Sequence, residues 1–127
     1  MDPYKTPGAF SWFELMTTDP KSAVAFYGQL FGWTSKDMDM GTGPYHVQSI
    51  GEAGIGGIMG MPPDAPAGMP PMWGCYVTVS SVEETCARCE QLGGKVCMPA
   101  MDVPGVGRMA VIQDPQGATL NVIAYAG

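Results

Sequence analysis

The sequence predicts an α+β fold built from two βαβββ modules in one chain, and three observations carry that reading. Residues 11–33, SWFELMTTDPKSAVAFYGQLFGW, and residues 74–94, GCYVTVSSVEETCARCEQLGG, share one layout: strand-like run, helix start, helix, glycine stop. The two helix-capping positions, Asp19 and Ser81, stand about half a chain length apart, and the same offset maps Leu15 onto Val77, Leu30 onto Leu92 and Gly32 onto Gly94. Each helix is followed by three short strand candidates. Module one spans about 9–60, a proline-rich linker about 61–71 and module two about 72–125, all within a single domain.

Each element has a local cause. In the first strand, alternation sorts Trp12, Glu14 and Met16 onto one face and Phe13, Leu15 and Thr17 onto the face under the helix. The first helix opens on Asp19 as N-cap with Pro20 at its first position, where a missing N–H costs nothing. Ala23, Phe26, Tyr27 and Leu30 recur at helical spacing as its core stripe, and Gly32 ends it. Strands are expected at Trp33–Met38, Pro44–Ile50 and Ile55–Met59. Met61–Pro71, MPPDAPAGMPP, holds too much proline for regular structure. In the second module Gly74, Tyr76 and Thr78 alternate with Cys75, Val77 and Val79, the latter set facing the helix. Ser81 with Glu84 forms a capping box, Val82, Cys86, Cys89 and Leu92 form the stripe, and Gly93-Gly94 is the stop. Strands follow at Lys95–Met98, Arg108–Gln113 and Ala118–Tyr125, the last two joined by the turn Asp114-Pro115-Gln116-Gly117.

Composition narrows the function. A net charge of −6 and a pI near 4.4 leave no basic patch for nucleic acid or for an anionic membrane surface. No basic segment precedes an apolar run and no apolar stretch is long enough to span a bilayer, so a cytoplasmic protein is expected. Cys75, Cys86, Cys89 and Cys97 then read as reduced thiols, with the Cys86-x-x-Cys89 pair packed on the core face of its helix.

ELMTTDPKSAVAFYGQLFGW, LGGKV and DPQGATLNV resemble the first strand and helix, the second helix end and the final hairpin of the vicinal oxygen chelate superfamily, which includes glyoxalase I, bleomycin-resistance proteins and extradiol dioxygenases. WFELMTTD with VPGVGRMAVIQDPQGA is similar to its uncharacterised bacterial glyoxalase-like group. The resemblance implies a curved mixed β-sheet around a cavity shared by the modules, and a C2 homodimer. It also implies a metal held by four His, Gln or Glu side chains. Here those places fall on Trp12, Gly74, Asn121 and the stretch Gly56-Gly57-Ile58-Met59, none a strong donor. No metal and no cofactor is therefore expected.

What remains is a small-molecule pocket with apolar walls and few polar groups, lined by Trp12, Glu14, His46, Trp73, Tyr76 and Asn121. Glu14 is its central residue, because an inward carboxylate needs a partner, a ligand or a raised pKa. His46, the sole histidine, lacks an evident partner in sequence and reads as pocket-lining. Clustered methionines (Met38, Met40, Met59, Met61, Met69, Met72) supply adaptable apolar packing. The leading expectation is a binding protein for a small apolar or aromatic molecule. The alternatives are a lyase or isomerase using Glu14 as acid and base, a metal-dependent glyoxalase- or dioxygenase-type enzyme if the ligand places are misaligned, and an interaction module whose cavity is filled by its own side chains.

Overall fold

The computed structural model describes residues 1–39, 43–62 and 65–126; Met40 and the linker residues Pro63 and Asp64 lie outside them. Strand β1 (Phe10–Thr17) leads into helix α1 (Pro20–Phe31), then β2 (Thr34–Asp39), β3 (Pro44–Ile50) and β4 (Ala53–Gly60). The second module repeats the order with β5 (Met72–Thr78), α2 (Val82–Gln91), β6 (Lys95–Val103), β7 (Gly107–Gln113) and β8 (Thr119–Tyr125). Backbone packing divides the chain into two compact units, Phe13–Gly74 and the remainder.

In the Phe13–Gly74 unit the strand order is β2-β3-β4-β1, antiparallel except for the parallel β1–β4 pair. In the other, the order is β5-β8-β7-β6, with β5 and β8 parallel. The parallel pairs are what a helix crossover between them requires. In that second unit the amino-terminal arm is tied down by Gly8 N–H to the Thr78 carbonyl (2.8 Å) and Thr78 N–H to the Ala9 carbonyl (2.9 Å).

Both caps form as their sequences dictate. The Asp19 carboxylate accepts from Ser22 N–H (3.1 Å) and from Ser22 Oγ–H (2.7 Å), and these bonds hold its pKa below the usual carboxylate value. Gly32 closes α1 at φ 77°, a left-handed conformation that glycine takes without Cβ strain. Ser81 Oγ accepts from Glu84 N–H at 3.2 Å. Ser81→Ala is expected to cost about 1 kcal/mol by leaving an α2 N–H unsatisfied, readable as a lower urea midpoint with unchanged m-value.

Three expectations need correction. The stripe assigned to α1 is not buried: no α1 residue is, and Phe26 and Leu30 are 59% and 57% exposed. Among the described residues of that module the buried apolar side chains are Leu15 and Ile58, whereas Phe26 and Tyr27 belong to a cluster of aromatic rings alongside. On α2 only Val82 is buried, against Ala110 and Val122; Leu92 is the C-cap and points away, 63% exposed. Strand β6 runs through Pro99 to Val103, beyond the expected end at Met98. Its pairing with β7 shifts register on both sides of Met98, and β6 is the last strand of its order, so a residue without an N–H is tolerated there.

All four cysteines are free thiols, and Cys86 packs against the Val82 cluster. Burial, helped by the neighbouring Cys89, raises its thiol pKa. Among the described residues no helix is long and apolar enough to cross a membrane.

Candidate functional site

Strand register places the chemistry. Glu14 pairs with Gly57, and Gly57 with Val47; Met16 pairs with Met59, and Met59 with Tyr45. Residues paired across a sheet share a face, so Glu14, Met16, Tyr45, Val47 and Met59 lie on one side of the Phe13–Gly74 sheet. Leu15, Ile58 and His46 are paired on the other side. The first face is thus apolar and thioether-rich around one carboxylate.

Glu14 is 7% exposed, and the Tyr45 hydroxyl donates to its Oε2 at 2.7 Å. Removing a carboxylate from water costs several kcal/mol unless hydrogen bonds replace the lost hydration. A charge-assisted phenol donor at this distance returns roughly 1.5–3 kcal/mol of that. Gly57 makes the bond possible. A Cβ built on Gly57 would collide with the Tyr45 ring and hydroxyl, so the phenol crosses β4 only because no side chain stands there. The flanking Gly56 is close-packed as well, its missing Cβ lying 2.7 Å from the Phe13 carbonyl oxygen.

His46 is separated from this arrangement. The sequence pattern groups it with Glu14, but as the strand neighbour of Tyr45 it emerges on the opposite face, paired with Ile58. There it is 7% exposed and its Nδ1 lies 2.6 Å from Asp37 Oδ1. The Asp37 partner was hidden in sequence because it comes from the facing strand of the β2–β3 hairpin. Below it, Gln48 Nε2 donates to Ser35 Oγ at 2.9 Å, so this side of β3 carries a polar ladder.

Trp73 packs beside Tyr27 of α1. Its indole N–H donates to the Tyr27 hydroxyl at 3.2 Å, and its ring packs edge-on against Tyr27 and Trp33. Trp12 stands two residues before Glu14 on β1 and is half-buried. Tyr76 and Asn121 are brought together as cross-strand partners of β5 and β8, on the side opposite the Val122–Ala110–Val82 core. Tyr76 is 6% exposed, and its hydroxyl points at the Met109 sulfur, 3.9 Å away.

Tyr45 is the partner of Glu14 that the sequence pattern does not reveal. Alternation within PYHVQSI offers either Tyr45 or His46 to a given face, and nothing local decides between them. The glycine pair Gly56-Gly57 was the available signal, since strand glycines mark close approach of another group.

The second unit has a cleft of about 730 Å³ between α2 and the β7–β8 turn, with Val79, Leu92, Ile112 and Pro115 among its walls and Arg88 at its rim. None of the six residues expected to bind a ligand lines it.

A divalent ion, as the fold implies, finds no matching donors. Opposite Glu14 stands a glycine, and the next pair along is Met16 with Met59, thioethers that suit soft rather than hard divalent ions. Among the described residues no three His, Cys, Asp or Glu side chains converge. No chemical step is assigned to a metal.

The sequence profile of the Glyoxalase/Bleomycin resistance protein/Dioxygenase superfamily matches residues 9–122. The chain belongs to this superfamily. Its relatives include CFP32 of Mycobacterium bovis, whose name assigns it provisionally to the glyoxylases: 39% identical over 117 residues, covering 91% of this chain and 45% of that protein. Another is the anthracycline biosynthesis protein DnrV of Streptomyces peucetius, 36% identical over 128 residues, covering 91% and 46%. This glyoxalase-superfamily chain thus spans about half the length of these curated relatives. Among solved structures, methylmalonyl-CoA epimerase from Mycobacterium tuberculosis superposes with a TM-score of 0.71 over 97% of this chain and 92% of the other, at 13% identity. That likeness speaks for the paired-module fold alone.

Proposed function

We propose that this chain binds a small molecule with an apolar or aromatic body and one hydrogen-bond donor or cationic group, anchored at Glu14. The observation that carries the reading is the buried Glu14 carboxylate, capped by Tyr45 and set among Met16, Val47 and Met59. The Glu14 carboxylate accepts from the Tyr45 hydroxyl through Oε2, and an ionised carboxylate has acceptor capacity for more than one donor. A ligand that donates to the carboxylate while covering the thioethers replaces lost water on both counts. The relative named for anthracycline biosynthesis supports an aromatic ligand class.

A second reading rests on the same 2.7 Å contact, which gives the carboxylate a proton-bearing neighbour. In it, Glu14 takes up and returns a substrate proton as the base of a lyase or isomerase. Turnover separates the two.

The test is fluorescence titration of the protein with an anthracycline and with simpler aromatic amines. Glu14→Gln keeps the shape and removes the charge, and is expected to weaken binding at least tenfold, about 1.5–3 kcal/mol for a hydrogen bond to a charged group. Equal affinity of wild type and Glu14→Gln would sink the anchoring role. Chemical conversion of the added compound, lost in Glu14→Gln, would favour the second reading.

A further inference from the structure

The face that carries Glu14 holds a second charge. Strand register lines up Lys36 of β2 with Val47, Val47 with Gly57, and Gly57 with Glu14. Ammonium and carboxylate thus stem from one row on one side of the Phe13–Gly74 sheet. The neighbouring row runs Met38, Tyr45, Met59 and Met16. Glu14 and Lys36 are the only charged side chains of these two rows, because the acids of β2, Asp37 and Asp39, alternate onto the other face. Lys36 takes part in no ion pair among the described residues.

Burial is graded along the row: Glu14 is buried, Val47 half-buried and Lys36 exposed. Val47 and the Tyr45 ring, which passes over Gly57, make the floor between the charges. Strands lie about 4.8 Å apart, so the steps from β1 to β2 separate the two residues by roughly 14 Å. The long, flexible lysine stem lets its ammonium follow a ligand of fused-ring length. The two ends differ in what they demand. A donor that reaches Glu14 leaves water and must regain its bonds there, whereas an anion resting at Lys36 stays hydrated and gives up little.

We propose that Lys36 is a specificity residue of the Glu14-anchored site. The ligand carries an anionic group at the end remote from its donor, and that group rests on the Lys36 ammonium. This rests on the binding function proposed above and narrows its ligand to an amphoteric aromatic, with amine and acid at opposite ends. In a chain of net charge −6 an added carboxylate is otherwise repelled, so a gain in affinity from one requires a placed cation.

Isothermal titration calorimetry with tryptamine and with its 5-carboxylate, in low and high salt, tests this. Wild type is expected to bind the 5-carboxylate about threefold more tightly in low salt, the scale of an exposed ion pair, and to lose that advantage in high salt. Lys36→Gln is expected to erase the advantage and Lys36→Arg to keep it. Lys21→Gln, which changes net charge equally from α1, is expected to leave the ratio of the two affinities as in wild type. A 5-carboxylate bound no more tightly than tryptamine by wild type, while Glu14→Gln weakens both, overturns the Lys36 assignment alone. So does an advantage that survives Lys36→Gln, or one that Lys21→Gln removes equally. Affinities indifferent to Glu14→Gln, or no binding of either compound, overturn the anchoring function and this proposal with it.

Discussion

Gly57→Ala is expected to break the Glu14–Tyr45 pair with a single added methyl group. The new Cβ occupies the volume of the Tyr45 ring, and β4 cannot retreat because Gly57 is paired on both sides, with Glu14 and with Val47. The ring must therefore leave, which strands a buried carboxylate without its phenol donor. Overpacking of this kind costs about 1–3 kcal/mol, and loss of a hydrogen bond to a buried charge falls in the same range. Urea denaturation of Gly57→Ala, Tyr45→Ala and the double variant decides the cause. If the clash is the cause, Tyr45→Ala relieves most of the penalty in the double variant; additive losses would show that Gly57 matters for another reason. Ligand affinity in Gly57→Ala is expected to fall with that of Glu14→Gln, since both disturb the same carboxylate.

Ile58→Ala is expected to have the largest effect on stability, about 2–5 kcal/mol. Ile58 is fully buried, paired with Leu15 and His46, in a module whose other buried apolar side chain, among the described residues, is Leu15. So little apolar volume leaves few neighbours able to close the void. The informative comparison is Leu92→Ala. Helical periodicity ranks Leu92 with the core, but at 63% exposure it should change stability by no more than about 0.5 kcal/mol. Thermal or urea unfolding of the pair checks this, and equal losses at the two positions would contradict the burial described here.

Much of the fold was legible because its signals are local. An N-cap aspartate followed by proline, a Ser81 N-cap, a terminal Gly32 and an Asp-Pro-Gln-Gly turn each act within a few residues, and each formed where the sequence placed it. The half-chain offset between the capping positions was enough to give two modules of one plan, and the superfamily match over residues 9–122 agrees. Boundaries slipped where a neighbouring strand, rather than propensity, sets the end. The strand expected to end at Met98 continues through Pro99 to Val103, because β7 supplies pairing on either side of a bulge.

The candidate site was legible by half. Glu14 stood out because a carboxylate in an alternating apolar strand has no cheap solution on its own. Its partner did not, since the choice between Tyr45 and His46 turns on a one-residue register that inverts every side chain of the strand. Packing of α1 was hidden for a related reason. Periodicity shows that Phe26, Tyr27 and Leu30 share a side of the helix, but the sheet, the adjoining rings or another chain can each cover that side. The sequence by itself determined the two modules, their helix ends and the presence of one buried acid, because those follow from interactions between residues close along the chain. Only the tertiary structure decided that Tyr45 holds Glu14 across Gly57, that His46 turns away to Asp37 and that the α1 aromatics face outward. Those outcomes depend on strand register and on how a helix leans across a sheet, which distant segments fix together.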